Sequence, residues 1–226
     1  MRFADLSRRG ARTAPGQASV EATRVVHQAA SLLLAYPSAD LLASLPVIEA
    51  ALAGSPSATL FEPLLAHLRA GELMEAQSYH VQEFDLSRRH ALHLTYWTEG
   101  DTRRRGEVLA SIKQAYRDSG LLGDTGGELP DYLPMMLEFA AHEPERGLAL
   151  LSTYRPSLEL LRLGLEDDAL PHAGVLEAVC RTIPGRRPLT RAEVHALVKE
   201  LTPTETVGLE PYPAFVGLPE LQRSHA

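Results

Sequence analysis

The 226 residues predict an all-α fold, a single-domain bundle of helices. Three observations carry this. Apolar residues recur at helical spacing in one segment after another, glycine or proline punctuates the segments, and no stretch alternates apolar and polar residues for long enough to demand a strand. With 45% apolar and 23% charged residues, the composition is that of an ordinary soluble globular domain. A chain of this length buries a core without disulfide or metal staples.

Residues 1–19 combine Arg2, Arg8, Arg9 and Arg12 with small and polar residues and show no apolar period, so they read as a disordered, mobile tail, with the helical domain spanning 20–201. Ser7-Arg8-Arg9-Gly10 lacks the apolar stretch that an export signal needs after its arginines. The first helix is predicted over Glu21–Tyr36, where Val25, Val26, Ala29, Ala30, Leu32 and Leu33 share the apolar stripe and Pro37 stops it. A second runs over Asp40–Ala53 and ends at Gly54, and a third over Thr59–Arg69 closes at Gly71. Leu73–Leu86 and His90–Glu99 follow, the latter ending at Gly100. The span Thr102–Ser119 puts Val108, Leu109, Ile112 and Tyr116 on one face, with alternating charge opposite.

Tyr132–Ala141 is apolar almost all round, the pattern of a central buried helix. Met135 and Met136 lie in it, either as core or as the adaptable lining of a groove. Further helices are predicted over Pro144–Gly164, Pro171–Ile183 and Thr190–Leu201, with Thr190 and Glu193 placed as a capping box. The proline-rich 202–226 reads as an extended tail.

The charge balance, 22 basic against 29 acidic residues and a net −7, disfavours nucleic acid and favours a basic partner. Arg88, Arg89, Arg103, Arg104 and Arg105 alternate with Glu99, Asp101 and Glu107, as on a solvated, salt-bridged helix start. Cys180 is the only cysteine, which excludes an internal disulfide and fits a reducing, cytoplasmic compartment. The longest apolar runs fall far short of the ~20 residues a membrane span needs.

Gly126-Gly127 lacks the lysine and hydroxyl of a phosphate loop and is followed by Glu128. His90 and His93, with Glu83 upstream, have metal-compatible spacing but no second paired ligand set. No nucleophile frame or enclosed carboxylate pair is visible, so a hydrolase is not supported. Asp101 is placed as an N-cap, and Gly106 within the following helix predicts the close approach of another backbone, from a neighbouring helix or a bound peptide. Glu128-Leu129-Pro130-Asp131 is a rigid helix entry. There Asp131 either caps or, with Glu128, leaves charge at a groove mouth for a basic peptide.

Residues 79–141 resemble the NarJ family of nitrate reductase assembly chaperones, part of a wider group with TorD and DmsD. Phe84-Asp85-Leu86, Gly100-Asp101-Thr102-Arg103-Arg104-Arg105-Gly106, Tyr116, Glu128-Leu129-Pro130-Asp131-Tyr132-Leu133-Pro134 and Leu137-Glu138-Phe139 carry the likeness. Weaker similarity covers most of 21–213. The resemblance implies a TorD-like helical, non-enzymatic chaperone without metal or cofactor of its own. It would bind the N-terminal segment of the apo catalytic (alpha) subunit of a membrane-bound nitrate reductase in the cytoplasm, aid insertion of the molybdenum cofactor, and stay out of the finished enzyme. The wider group's hinge motif has a histidine where this chain has Tyr132. The residues expected around the client peptide are Tyr79, Phe84, Asp85, Asp101, Arg103, Arg105, Glu128, Asp131 and Glu138. Alternatives from other classes are a nucleotide- or metal-binding helical protein using Gly126-Gly127 or His90/His93, and a helical scaffold.

Overall fold

Eleven α-helices and one π-helical turn, with no strand, account for the regular structure among the described residues. The computed structural model describes residues 15–100, 103–120 and 127–201. Helix α1 (Pro15–Leu34) opens five residues inside the segment expected to be a tail, with Pro15 at a first helical position where its missing N–H costs nothing. The remaining tail expectations, 1–14 and 202–226, lie outside the described residues.

Ser38 starts α2 (Ala39–Leu52), its hydroxyl accepting from Leu41 N at 3.1 Å. After α3 (Ala58–Ala70) comes α4 (Leu73–His80), and here the structure departs from the expected single helix over 73–86. A π-helical turn, Val81–Asp85, takes over and is closed by Leu86 N donating to Val81 O at 2.9 Å. One extra residue in the turn rotates everything that follows, a change that no hydrophobic period announces. Helix α5 is only Leu94–Glu99, because His90–His93 form a loop instead of its first turn.

Helix α6 (Arg104–Asp118), the central α7 (Leu133–His142), α8 (Pro144–Thr153), α9 (Arg155–Asp167), α10 (Ala173–Thr182) and α11 (Arg191–Leu201) complete the order. The single helix expected over 144–164 is two, broken at Tyr154, where Pro156 fits the first turn of a new helix but not the interior of an old one. Thr190 caps α11 as expected, accepting from Glu193 N at 3.2 Å. The Glu193 carboxylate takes the Leu189 N–H at 2.9 Å, one residue earlier than a strict capping box.

Helix α7 is buried as its pattern predicts, through Leu133, Met136, Leu137, Phe139, Ala140 and Ala141. Helices α1 and α8 both pack on it, α1 also touches α2 and α10, and α9 joins α10, α5 and α11. One apolar cluster runs from Val26 to Ile183, with Met136 inside it and Met135 packed against it, so both methionines serve the core. Two crossings are tight. A side chain at Gly147 would stand 2.2 Å from Ala140 Cα, and one at Gly174 would stand 2.0 Å from Leu60 O. Gly106, where a close approach was expected, has nothing within 4 Å of its missing Cβ.

Charge is also buried, between α9, α10 and the loop after α10. Arg162 bonds Glu159 at 2.8 Å, Glu166 at 2.7 Å and the Pro188 carbonyl at 2.8 Å, while Arg155 reaches the carbonyls of Ile183 and Pro184. Buried charges survive only when paired in this way. Burial, with Glu159 next, pushes the Cys180 thiol far above its usual range, so this cysteine is inert packing.

Candidate functional site

The two sharply punctuated junctions of the sequence meet. Leu94 N donates to Asp131 O at 3.1 Å and Leu133 N to Leu92 O at 2.8 Å, and between these bonds His93 and Tyr132 form an isolated antiparallel bridge. The entry to α5 and the entry to α7 are therefore one backbone unit. Tyr116 of α6 donates its hydroxyl to Pro130 O at 2.7 Å and fastens a third element to it.

Asp131 is fully buried within this unit. Its carboxylate accepts from Thr95 N at 3.1 Å, from the Thr95 hydroxyl and from His93 Nδ1 at 3.1 Å, and Arg105 lies 3.6 Å away. Thr95 is the second residue of α5, so Asp131 satisfies a free amide of α5 and not of its own helix. Both sequence expectations for Asp131, a cap of α7 or a groove-mouth charge, are corrected by this placement. Burial alone would raise its pKa, but the hydrogen bonds from His93 and Thr95 and the His93 charge outweigh it and hold the carboxyl below its usual range. Arg105 is drawn into the same cluster, its Nε donating to the Thr95 hydroxyl at 3.0 Å.

A different pair of acids reaches the surface. Asp85 and Glu128 are exposed, form no salt bridge among the described residues, and both lie near the half-buried Tyr132. Burial, then Glu128, then Asp85, drive the Tyr132 phenol up, while a backbone hydrogen bond with Tyr36 opposes them. Beside these acids stand apolar side chains that the fold leaves uncovered: Leu86 is 76%, Tyr36 49% and Leu129 41% exposed. The π-helical turn builds one edge of this face. It points Phe84 inward, against His80 and His172 with ring centroids 4.8 Å away in each case, and leaves Asp85 and Leu86 outside.

The other expected residues are distributed as follows. Tyr79 is half-buried between His67, at 4.7 Å, and a stacked His172 at 5.9 Å, along an open cleft with Glu72, Met74, Glu75 and Gln82. Arg103 is exposed at the start of α6 and Glu138 is exposed on α7. Asp101 lies outside the described residues, as does Gly126. His90 and His93 face different carboxylates, His90 Nε2 meeting Asp168 at 2.9 Å while His93 meets Asp131. No group of three or more side chains able to hold a metal occurs among the described residues, and no helix there is long and apolar enough to cross a membrane. Sequence reasoning did not place Tyr36, Leu86 or Leu129 among the client-binding residues and missed the stacking of His172 on Tyr79. Only Leu86 and Leu129, apolar residues inside punctuated motifs, carried a readable signal.

The profile of the family described as nitrate reductase delta subunit matches residues 51–177. The nitrate reductase-like protein NarX of Mycobacterium tuberculosis (strain ATCC 25618 / H37Rv) is 43% identical over 159 residues, which are 70% of this chain but only 24% of NarX. NarJ of Bacillus subtilis (strain 168) is 31% identical over 160 residues, covering 69% of this chain and 86% of that protein. The nitrate reductase molybdenum cofactor assembly chaperone NarJ of Escherichia coli (strain K12) is 30% identical over 142 residues, 60% of each chain. A solved redox enzyme maturation protein candidate from Archaeoglobus fulgidus shares the fold, with a TM-score of 0.54 and 22% identity over 70% of this chain and 91% of that one.

Proposed function

We infer that this chain, which belongs to the nitrate reductase delta subunit family, is an assembly chaperone for a nitrate reductase. It binds the catalytic subunit through that subunit's N-terminal segment and holds it ready for molybdenum cofactor insertion. The relatives named as molybdenum cofactor assembly chaperones support the class of function. One observation supports the mode of binding: an apolar, acid-edged face made by Asp85-Leu86, Glu128-Leu129 and Tyr36 around Tyr132, on a rigid frame.

A basic amphipathic segment laid on this face would cover Leu86, Leu129 and Tyr36 and bring its cations to Asp85 and Glu128. The magnitudes divide the labour. Burying an exposed leucine or aromatic side chain contributes about 1.5–3 kcal/mol, whereas an exposed ion pair contributes about 0.2–1 kcal/mol. Apolar contact therefore supplies most of the affinity, and the acids supply orientation, on-rate and selection of basic segments. Phe84 holds the face from beneath, Asp131 and Arg105 hold its frame, and Tyr79, Arg103 and Glu138 stand as flanking contacts in this proposal. No catalytic step belongs to it. The encounter takes place in the cytoplasm, where an unfinished subunit would still be free.

Co-purification tests the reading. The apo catalytic subunit should be retained by this chain, and the same subunit without its N-terminal segment should not. Equal retention of both would place recognition elsewhere on the client and overturn the mode proposed here.

A further inference from the structure

The acid-edged face has a candidate occupant within the chain itself. Residues 1–14 carry Arg2, Arg8, Arg9 and Arg12 against a single Asp5, with Phe3 and Leu6 between them. That is the chemistry the face fits, cations spaced around apolar side chains, and it stands in a protein of net charge −7. The segment joins α1 at Pro15, while the face begins at Tyr36, just past the other end of that helix. A helix of 20 residues is about 30 Å long, and 14 extended residues reach up to about 48 Å. The segment is therefore long enough to run back along α1 to the face. Leu32 and Tyr36, four residues apart and both exposed, line the last turn of that route.

We propose that residues 1–14 dock in cis on the face formed by Tyr36, Asp85, Leu86, Glu128 and Leu129, and that a client segment must displace them. The docking stands on charge, reach and exposed apolar area alone. The displacement rests on the function proposed above. A short tether gives an effective concentration on the order of 1 mM, so a segment with an intrinsic dissociation constant of about 0.1 mM occupies the face most of the time and weakens a competitor about tenfold. The occupant acts as a filter: a client too weakly basic or apolar does not displace it. Docking also weakens as salt rises, because its ionic part is exposed.

A spin label at residue 4 of the full chain, introduced through Ala4→Cys, tests the docking. Cys180 is buried and stays unlabelled. The nuclear resonance signals of Leu86, Leu129 and Tyr36 should broaden, and the broadening should vanish in the full-length variant carrying Arg2→Glu, Arg8→Glu and Arg9→Glu. Unbroadened signals, or broadening confined to mixtures in which label and observed nuclei are on different copies, overturn cis docking. The same charge-reversed variant should bind a client N-terminal peptide five- to tenfold more tightly than the native chain, and equal affinity overturns the displacement. Absence of peptide binding by either form, with broadening intact, would sink the proposed client site and leave the docking in place.

Discussion

Replacing Asp131 with alanine would strip the Thr95 amide and hydroxyl and His93 of a buried acceptor and leave Arg105 without its carboxylate. A lost cap and unsatisfied buried donors together should cost about 2–4 kcal/mol, seen as a lower urea midpoint. Asp85→Lys and Glu128→Lys lie on the surface and should change stability by less than about 0.5 kcal/mol. An Asp131→Ala protein as stable as the native one would contradict the placement. The sequence could name these three acids as a set and could not rank them. What separates them is burial, and for Asp131 that depends on Thr95 and His93, 36 and 38 residues away. Tyr132 was visible in advance as a departure from the family's histidine. Its part in the face became visible only with Asp85 and Tyr36 beside it.

Helix crossings give the next test. Gly147→Ala would drive a methyl group into the backbone of α7 at Ala140, and the helices must part or the chain must unfold. A cost of about 3 kcal/mol or more is expected, since overpacking against backbone has no flexible neighbour to yield. Gly106→Ala meets nothing within 4 Å and should add about 0.5–1 kcal/mol by removing helix-interior glycine entropy. Urea denaturation of the two variants measures both signs, and equal effects would contradict these packing distances. Helix spans were legible because a long apolar period survives local exceptions. The π-helical turn at Val81–Asp85 and the loop at His90–His93 were not, because each leaves the apolar stripe intact on both sides, whereas the break at Tyr154 had a readable sign in Pro156 that the unbroken stripe masked. The close approaches at Gly147 and Gly174 were likewise hidden, since a glycine does not state its distant neighbour.

For the whole molecule, protonation sets the acid limit of stability. Burial lowers the pKa of His27 to about 4 and, with His80 and His67 adding to burial, that of His172 to about 3. In the unfolded chain both titrate near the ordinary histidine value of about 6.5. Below that pH the unfolded state binds protons that the folded state refuses, so stability is full above about 6.5 and falls as pH drops towards the folded values. Unfolding free energy should decrease from pH 7.5 to pH 5.0, by about 1–2 kcal/mol for each histidine, in urea titrations at the two pH values. A flat profile would contradict their burial as neutral rings. Asp131, whose pKa is depressed, adds a further loss only at still lower pH, beginning where the carboxyl of the unfolded chain protonates, near about 3.9, and complete once the folded carboxyl protonates too. At this scale fold class and the central place of α7 were legible from pattern alone. The joining of two junctions into one frame was not, because a backbone bridge between His93 and Tyr132, 39 residues apart, leaves no periodic trace.

Calorimetric titration of a basic, amphipathic peptide from the N-terminus of a nitrate reductase catalytic subunit tests the central claim most directly. With Arg2, Arg8 and Arg9 replaced by serine in both proteins, so that the chain's own N-terminal segment does not compete, the chain should bind saturably, and adding Asp85→Lys/Glu128→Lys, which leaves stability unchanged, should weaken binding about tenfold. Identical affinity in the two proteins would contradict the acid-edged face as the client's seat.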